Sequence, residues 1–299
     1  MLLKNDFIGN RGERMTVAGI TLFNPEKGRL KENIEAVINQ VDAVVCIDNG
    51  SNNIDEIEND LLKKYNKLSL VKNNKNVGIA RALNQMFEFA KDNNYEYVLT
   101  LDQDSVVPEN LMSEYLKYMT SLDKVGSLSP LILDRNYAEV DGYKGDIDVL
   151  DKCITSASLT SVKTWEEVGG FYEPLFIDLV DHDFCAKLVE HGYKIYRINT
   201  VHLMHEIGHG KTKNVFGKKF TVLNHSAFRK YYIVRNRIIY MYMHRNSIDL
   251  KEEKGKYYKF FIKTIVCEDK KIKKLSAMIR GVKDGKAFVK SLRQQEKGE

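Results

Sequence analysis

The stretch Tyr97-Val98-Leu99-Thr100-Leu101-Asp102-Gln103-Asp104-Ser105 runs from five apolar or β-branched residues straight into two carboxylates. The first five predict a buried strand, and the abrupt change predicts a turn at its carboxyl end. Working outward, Thr16–Phe23 (TVAGITLF) predicts another buried strand, closed by Asn24-Pro25. Ala43–Ile47 is a third, followed by Asp48-Asn49-Gly50-Ser51, and Leu68–Lys72 a fourth. Between them, Leu30–Val41, Ile54–Tyr65 and Gly78–Asn93 carry helical spacing. Strands alternating with helices of this length imply an α/β fold with a mostly parallel sheet. Ligands of such sheets bind outside the carboxyl ends of the strands. Thr21, Asn24, Asp48, Asn49 and Asp102 all fall there.

Beyond this frame the spacing loosens over residues 125–200, where a Gly169-Gly170 turn and a helix from about Asp181 to His191 stand out. From Val222 onward the chain contains no Pro and looks helical to its end. We expect an N-terminal extension over 1–14, a catalytic domain over 15–221 divided near 105, and a basic helical region over 222–299. The charge is split the same way. Residues 201–299 hold 24 Lys and Arg against 9 Asp and Glu, so a net of +5 for the chain leaves −10 in the first 200 residues. Four scattered Cys, without a C-x-x-C pair, argue against a zinc site or a disulfide framework and suggest a reducing cytoplasm. No run of 18 apolar residues and no N-terminal apolar region predict a membrane span or a secretory signal.

Four constellations carry chemistry. Asp102 and Asp104, at i and i+2 after a strand, suit a hard divalent cation, which takes one or two carboxylates and lets substrate phosphates supply further oxygens. Turn or helix-capping aspartates are the plainer reading of the same pair. Asp178, Asp181 and Asp183 form a second cluster between bulky apolar residues. One of them is a candidate general base, although Asp181 and Asp183 also suit the first turn of a helix. His202-x-x-His205-Glu206 does not match the H-E-x-x-H zinc helix, so a single His beside the cation is the more economical reading. Finally, the polar loop Asn73–Gly78 turns into a helix whose N–H groups, with Asn76, Gly78 and Arg81, could meet phosphate or sugar oxygens. No phosphate-loop or dinucleotide fingerprint occurs, and no nucleic-acid reading motif accompanies the basic tail.

The order of these elements is more specific than any one of them. T-x-x-N-P (from Thr21), D-N-G-S (from Asp48), N-x-x-N-V-G-I-A-x-A-L-N (from Asn73), L-T-L-D-Q-D-S (from Leu99), G-G-F-x-E-x-L-F-I-D-x-V-D (from Gly169), H-E-x-G (from His205) and R-x-Y-Y-x-x-R-N (from Arg229) follow one another over residues 15–245. The series resembles the bacterial rhamnosyltransferases of family 2 of the inverting glycosyltransferases. That resemblance implies a GT-A fold and a donor bound as a nucleoside diphosphate sugar, dTDP-β-L-rhamnose in the first instance. It implies Thr21, Asn24 and Asp48 at the nucleoside, Asp102 in the D-x-D motif, and a diphosphate or acceptor contact for Arg235; Asn76, Gly78 and Arg81 join the candidate donor contacts from the loop reading above. Asp104, with Asp102 and His205, would hold Mg²⁺ or Mn²⁺. Asp181 would be the catalytic base, with Asp178 and Asp183 at the acceptor. The chain departs from the pattern at Lys187, where Arg is frequent, and at Arg81, where a small residue is frequent.

The expected acceptor is a saccharide hydroxyl, on a lipid-linked chain if the aromatic and basic tail of a cytoplasmic protein rests on anionic lipid at the inner face of the cell membrane. Nucleic acid is not expected as a partner. UDP-galactose or UDP-N-acetylglucosamine as donor, and a non-catalytic sugar- or lipid-binding module, remain alternatives at this point.

Overall fold

The structure, a computed structural model, describes residues 15–134, 145–205, 211–215 and 218–298; side chains at 134, 205, 211–215 and 218–221 lie outside the description. Its first half alternates strand and helix: β1 (Thr16–Leu22), α1 (Lys27–Val37), β2 (Ala43–Asp48), α2 (Ile54–Asp60), β3 (Leu68–Lys72), α3 (Ile79–Asp92), β4 (Tyr97–Asp102) and α4 (Leu111–Ser121). The second half adds β5 (Val125–Asp134), β6 (Ile147–Leu150), β7 (Ser158–Ser161), α5 (Val162–Glu167), α6 (Val180–Glu190) and β8 (Lys194–His205). A two-stranded ribbon, β9 (Lys211–Val215) and β10 (Lys218–Val222), leads into α7 (Ala227–Met243), α8 (Leu250–Cys267) and α9 (Lys271–Gly298).

The main sheet has eight strands in the order β3-β2-β1-β4-β7-β5-β8-β6. The first four are mutually parallel, β7 runs antiparallel to β4 and β5, and β5 and β8 are parallel again. This is the mostly parallel sheet that the alternating pattern predicted. Strand side chains alternate between its faces. Ala18, Ile20, Val44, Cys46 and Leu99 pack beneath α1, α2 and α4, while Val17, Val45, Ile47 and Val98 pack beneath α3, α5 and α6.

The C-terminal helices join the second of these layers, through Ile239 of α7 and Val289 of α9. Helices α7 and α9 run in the same direction, since Tyr231 donates to Asp284 and Tyr242 to Glu296. Their close approach has a covalent cause. A Cβ at Gly281 would stand 2.6 Å from the Tyr231 carbonyl, and one at Gly285 would stand 2.9 Å from the Arg235 carbonyl. Helix α8 is tied in by a buried cluster in which Lys230 donates to Thr264 (2.8 Å) and Glu268 (2.5 Å), and Lys274 to Glu268 (2.8 Å).

Candidate active site

The register of the parallel strands sets one rim. Thr21 lies opposite Asp102, and Leu22 opposite Asp48, so the ends of β1, β2 and β4 are level. The loops after them are held by bonds within each loop and between neighbouring loops. Asp48 is 1% exposed and accepts from the Gly50 and Ser51 amides at 3.1 Å each. Ser51 Oγ accepts from the Asn24 amide (2.8 Å), and Asn24 Oδ1 from the Asn52 amide (2.9 Å). Gln103 Oε1 accepts from the Phe23 amide (2.9 Å), joining the Asp102–Ser105 turn to the first loop. Within this scaffold Asp102 is half-buried and Asp104 exposed, so the second carboxylate faces solvent above the rim. Thr21 Oγ1 is buried there without a hydrogen-bond partner among the described residues.

The opposite wall is the segment Phe176-Ile177-Asp178-Leu179. Phe176, Asp178 and Leu179 adopt φ of 64°, 66° and 65°, a region that side chains with a Cβ enter only at a cost of roughly 1–2 kcal/mol each. Three outside contacts hold them there. The Phe176 carbonyl accepts from the Ile79 amide at 2.6 Å. Asn236 of α7, fully buried, donates to the carbonyls of Leu175, Ile177 and Asp178 at 2.7, 2.7 and 3.0 Å. The Arg229 guanidinium meets both oxygens of Asp178, at 2.5 and 3.3 Å. Gly78 is required where α3 begins: its φ is +91°, and a Cβ would lie 2.7 Å from the Phe176 carbonyl oxygen.

Behind this segment, Asp181 occupies the first turn of α6, half-buried, with Oδ1 accepting from the His182 amide (2.9 Å). Its carboxylate lines a cavity of about 400 Å³ together with Thr155, Asp178, His182, Arg229 and Arg237. Burial holds the His182 imidazole below its usual range. The cavity is linked to the end of β4, because Thr100 Oγ1 donates to the Thr155 carbonyl (2.6 Å) and the hydroxyls of Ser105 and Ser156 meet at 2.5 Å. Asp181 and the Asp102–Ser105 turn therefore share one neighbourhood.

Several expectations need correction. Asp183 is fully buried and faces His244 (2.9 Å) and Lys187 (3.4 Å), so it fastens α6 to α7 and does not reach an acceptor. Arg81 is engaged by Glu88 and Glu173. Asn76 caps its own loop by accepting from the Gly78 amide (2.9 Å), and the Ile79 amide is spent on Phe176, so the start of α3 is not an open anion cradle. Arg235 donates to the Pro174 carbonyl (2.8 Å) and lies over the Phe288 ring, so in this structure it braces the wall at Phe176–Leu179. The backbone of His205 ends β8, while its side chain and Glu206–His209 fall outside the described residues. Thr155 is a lining residue that sequence reading missed, and the irregular stretch around it offers no periodic signal. The roles of Arg229 and Asn236, unassigned from sequence, are now plain: they brace the wall.

Comparison with known proteins agrees with this geometry. The family model described as glycosyl transferase family 2 matches residues 18–165. The chain is 27% identical over 249 residues to the dTDP-rhamnosyl transferase RfbF of Shigella flexneri, covering 78% of this chain and 81% of that one. Among solved structures, the mannosyltransferase PcManGT of Pyrobaculum calidifontis, in complex with GDP-Man and Mn²⁺, superposes with a TM-score of 0.58 at 12% identity, over 96% of this chain and 81% of that one. TarS 1-349 of S. aureus, in complex with UDP-GlcNAc, also gives 0.58, at 13% identity over 90% and 81%. GalNAc-T7, with UDP, GalNAc and Mn²⁺, gives 0.58 at 15% identity over 83% of this chain, which spans only 55% of that longer protein. With the strand-edge aspartates, the matched domain and the shared architecture in agreement, residues 18–165 form a family 2 glycosyl transferase domain and the chain has the GT-A fold.

Proposed function

We propose that the protein transfers L-rhamnose from dTDP-β-L-rhamnose to a saccharide hydroxyl, with inversion, in the assembly of a bacterial surface polysaccharide. The observation that carries the reaction type is the Asp181 carboxylate, set in a cavity that Thr155 joins to the carboxyl end of β4. The donor's identity is supported by the likeness to the Shigella relative. The nucleoside lies against Thr21, whose orphaned hydroxyl is ready for a partner, and against the loop shaped by Asn24 and Asp48. Asp104 and Asp102 present only oxygen donors, a set that fits Mg²⁺ or Mn²⁺. Such a cation would neutralise the diphosphate leaving group.

Asp181 takes the proton from the acceptor hydroxyl as its oxygen attacks the anomeric carbon and the nucleoside diphosphate departs from the opposite face. Most of the rate gain comes from holding the two substrates in line. The test is a thermal-shift screen of dTDP-rhamnose, UDP-galactose and UDP-N-acetylglucosamine with Mn²⁺, a bound donor at a hundred times its Kd stabilising by about 2.7 kcal/mol. Stabilisation by a UDP-sugar alone would transfer the reading to that donor. An axial-to-equatorial comparison of donor and product anomers by NMR checks inversion.

A membrane surface is part of the proposal, on a narrower face than the sequence suggested. Ile239 and Tyr240 of α7 are buried. Tyr258, Ile262, Ile265 and Val266 form one exposed stripe on α8, and Ile272 (87% exposed) and Ile279 (64%) follow on α9. Exposed Lys259 and Lys271 stand among them, the arrangement that suits anionic lipid. Among the described residues no helix is long and apolar enough to cross a membrane. Flotation with phosphatidylglycerol-containing vesicles, but not with pure phosphatidylcholine, is expected, and failure to float at low salt would remove the membrane from the proposal.

A further inference from the structure

A second, larger cavity lies beside the first. It measures about 890 Å³ and is bounded by the start of α7 and the start of α9. The first turns of α7 separate the two: Arg229 and Ile233 face the cavity of Asp181, whereas Phe228, Tyr231 and Tyr232 face the larger cleft. Its aromatic wall continues toward the reaction site, because Tyr232 stacks on Phe176 (centroids 5.1 Å, planes 20° apart) and Phe228 packs on Tyr232 (4.9 Å). Phe228 remains 55% exposed despite these neighbours. The facing wall supplies Lys270, Lys273 and Arg280, all exposed, together with two carboxylates, Asp269 beside Asn224 and Asp284 accepting from the Tyr231 hydroxyl. Lys274, by contrast, is buried and occupied by Glu268.

The geometry points to this cleft as the acceptor's second subsite, binding a phosphorylated saccharide. A sugar ring lies on Phe228 and Tyr232, and its phosphoryl group is neutralised by Lys270, Lys273 and Arg280. Aromatic faces present flat apolar area to the C–H face of a sugar, and three exposed cations against two carboxylates leave this wall with a net positive charge that suits a phosphate or diphosphate. The acceptor then runs over the first turn of α7, with its reactive hydroxyl at Asp181 and its phosphorylated end in the cleft. The inference rests on the glycosyl-transfer reading given above, but its test does not use turnover.

The experiment is ligand-observed NMR titration of the full chain with glucose 1-phosphate, glucose and inorganic phosphate, in the presence of saturating dTDP and Mn²⁺ so that the donor site is filled. Glucose 1-phosphate is expected to bind at least about tenfold more tightly than glucose, the scale of one charge-assisted contact. That advantage should vanish in Lys270→Ala/Lys273→Ala/Arg280→Ala, and Phe228→Ala should weaken glucose 1-phosphate without affecting inorganic phosphate. Equal affinity for glucose and glucose 1-phosphate, inorganic phosphate binding as tightly as glucose 1-phosphate, or a triple variant that keeps the wild-type preference would each overturn the subsite. Circular dichroism confirms that the surface variants fold. Loss of dTDP binding in the wild-type chain would instead count against the donor reading, which separates the two failures.

Discussion

The two walls of the site are built by opposite means. On the proposed donor side, Asp48, Asn24, Ser51 and Asn76 bond to backbone in their own loop or in the loop of the neighbouring strand. On the proposed acceptor side, Phe176, Asp178 and Leu179 sit in unfavourable backbone conformations, and beside the local bonds of the Phe176 and Ile177 amides to the Glu173 and Leu175 carbonyls they draw on distant support. They are kept there by α3 and α7, from about a hundred residues upstream and about sixty downstream. The difference shows that the C-terminal helices, which composition presents as a basic appendage, brace the wall that leads into Asp181.

Breaking the remote support should therefore cost most. Asn236→Leu keeps the volume but strands three carbonyls, that of Leu175 buried and those of Ile177 and Asp178 partly so, a buried one costing about 1–3 kcal/mol. A fall in unfolding free energy of at least about 3 kcal/mol in urea is expected, together with loss of transfer. A variant of near wild-type stability would show that the segment supports itself. Next comes Asp181→Asn, expected to lower kcat by at least about 10²-fold while dTDP affinity, read by calorimetry, stays unchanged. Full turnover would take the base role from Asp181.

On the donor side, Ser51→Ala removes one hydrogen bond to the Asn24 amide and should cost about 1 kcal/mol, with a higher KM for the donor and an unaltered kcat. A fall in kcat alone would mean that this loop acts on the reacting groups. The smallest effect concerns pH. Burial pushes the His244 imidazole down, but hydrogen bonds to Asp183 and Glu190 more than reverse this and hold it above its ordinary range. A raised value in the folded chain means stabilisation fully present below the unfolded value of about 6.5 and lost as pH rises through the folded value. His244→Gln should thus lower Tm more at about pH 5.5 than at about pH 9, and an equal or opposite difference would refute the pairing.

The same contrast explains what could be read from the chain beforehand. Strands β1, β2 and β4 announce themselves as apolar runs, and the polar turns that end them are local sequence events. The Asp102–Asp104 and Asp48–Ser51 loops were legible for that reason. The partners of α6 were not, because the pattern of carboxylates at 178, 181 and 183 does not say which face turns inward. Only the fold shows Asp183 locked on His244 and Asp181 left in a cavity. Arg81 and Arg235 were misplaced similarly: a cation near a glycine-led helix or in a repeated motif suggests phosphate, whereas Glu88, Glu173 and the Pro174 carbonyl had already claimed them.

The glycines at 281 and 285 bear on how the gene could be shortened. A version ending just after the R-x-Y-Y-x-x-R-N element would retain every residue proposed for chemistry, yet α7 would lose the rod laid against its spine. With Asn236 and Arg229 riding on that helix, such a fragment would possess all the ingredients for transfer and no means of keeping Asp181 aimed.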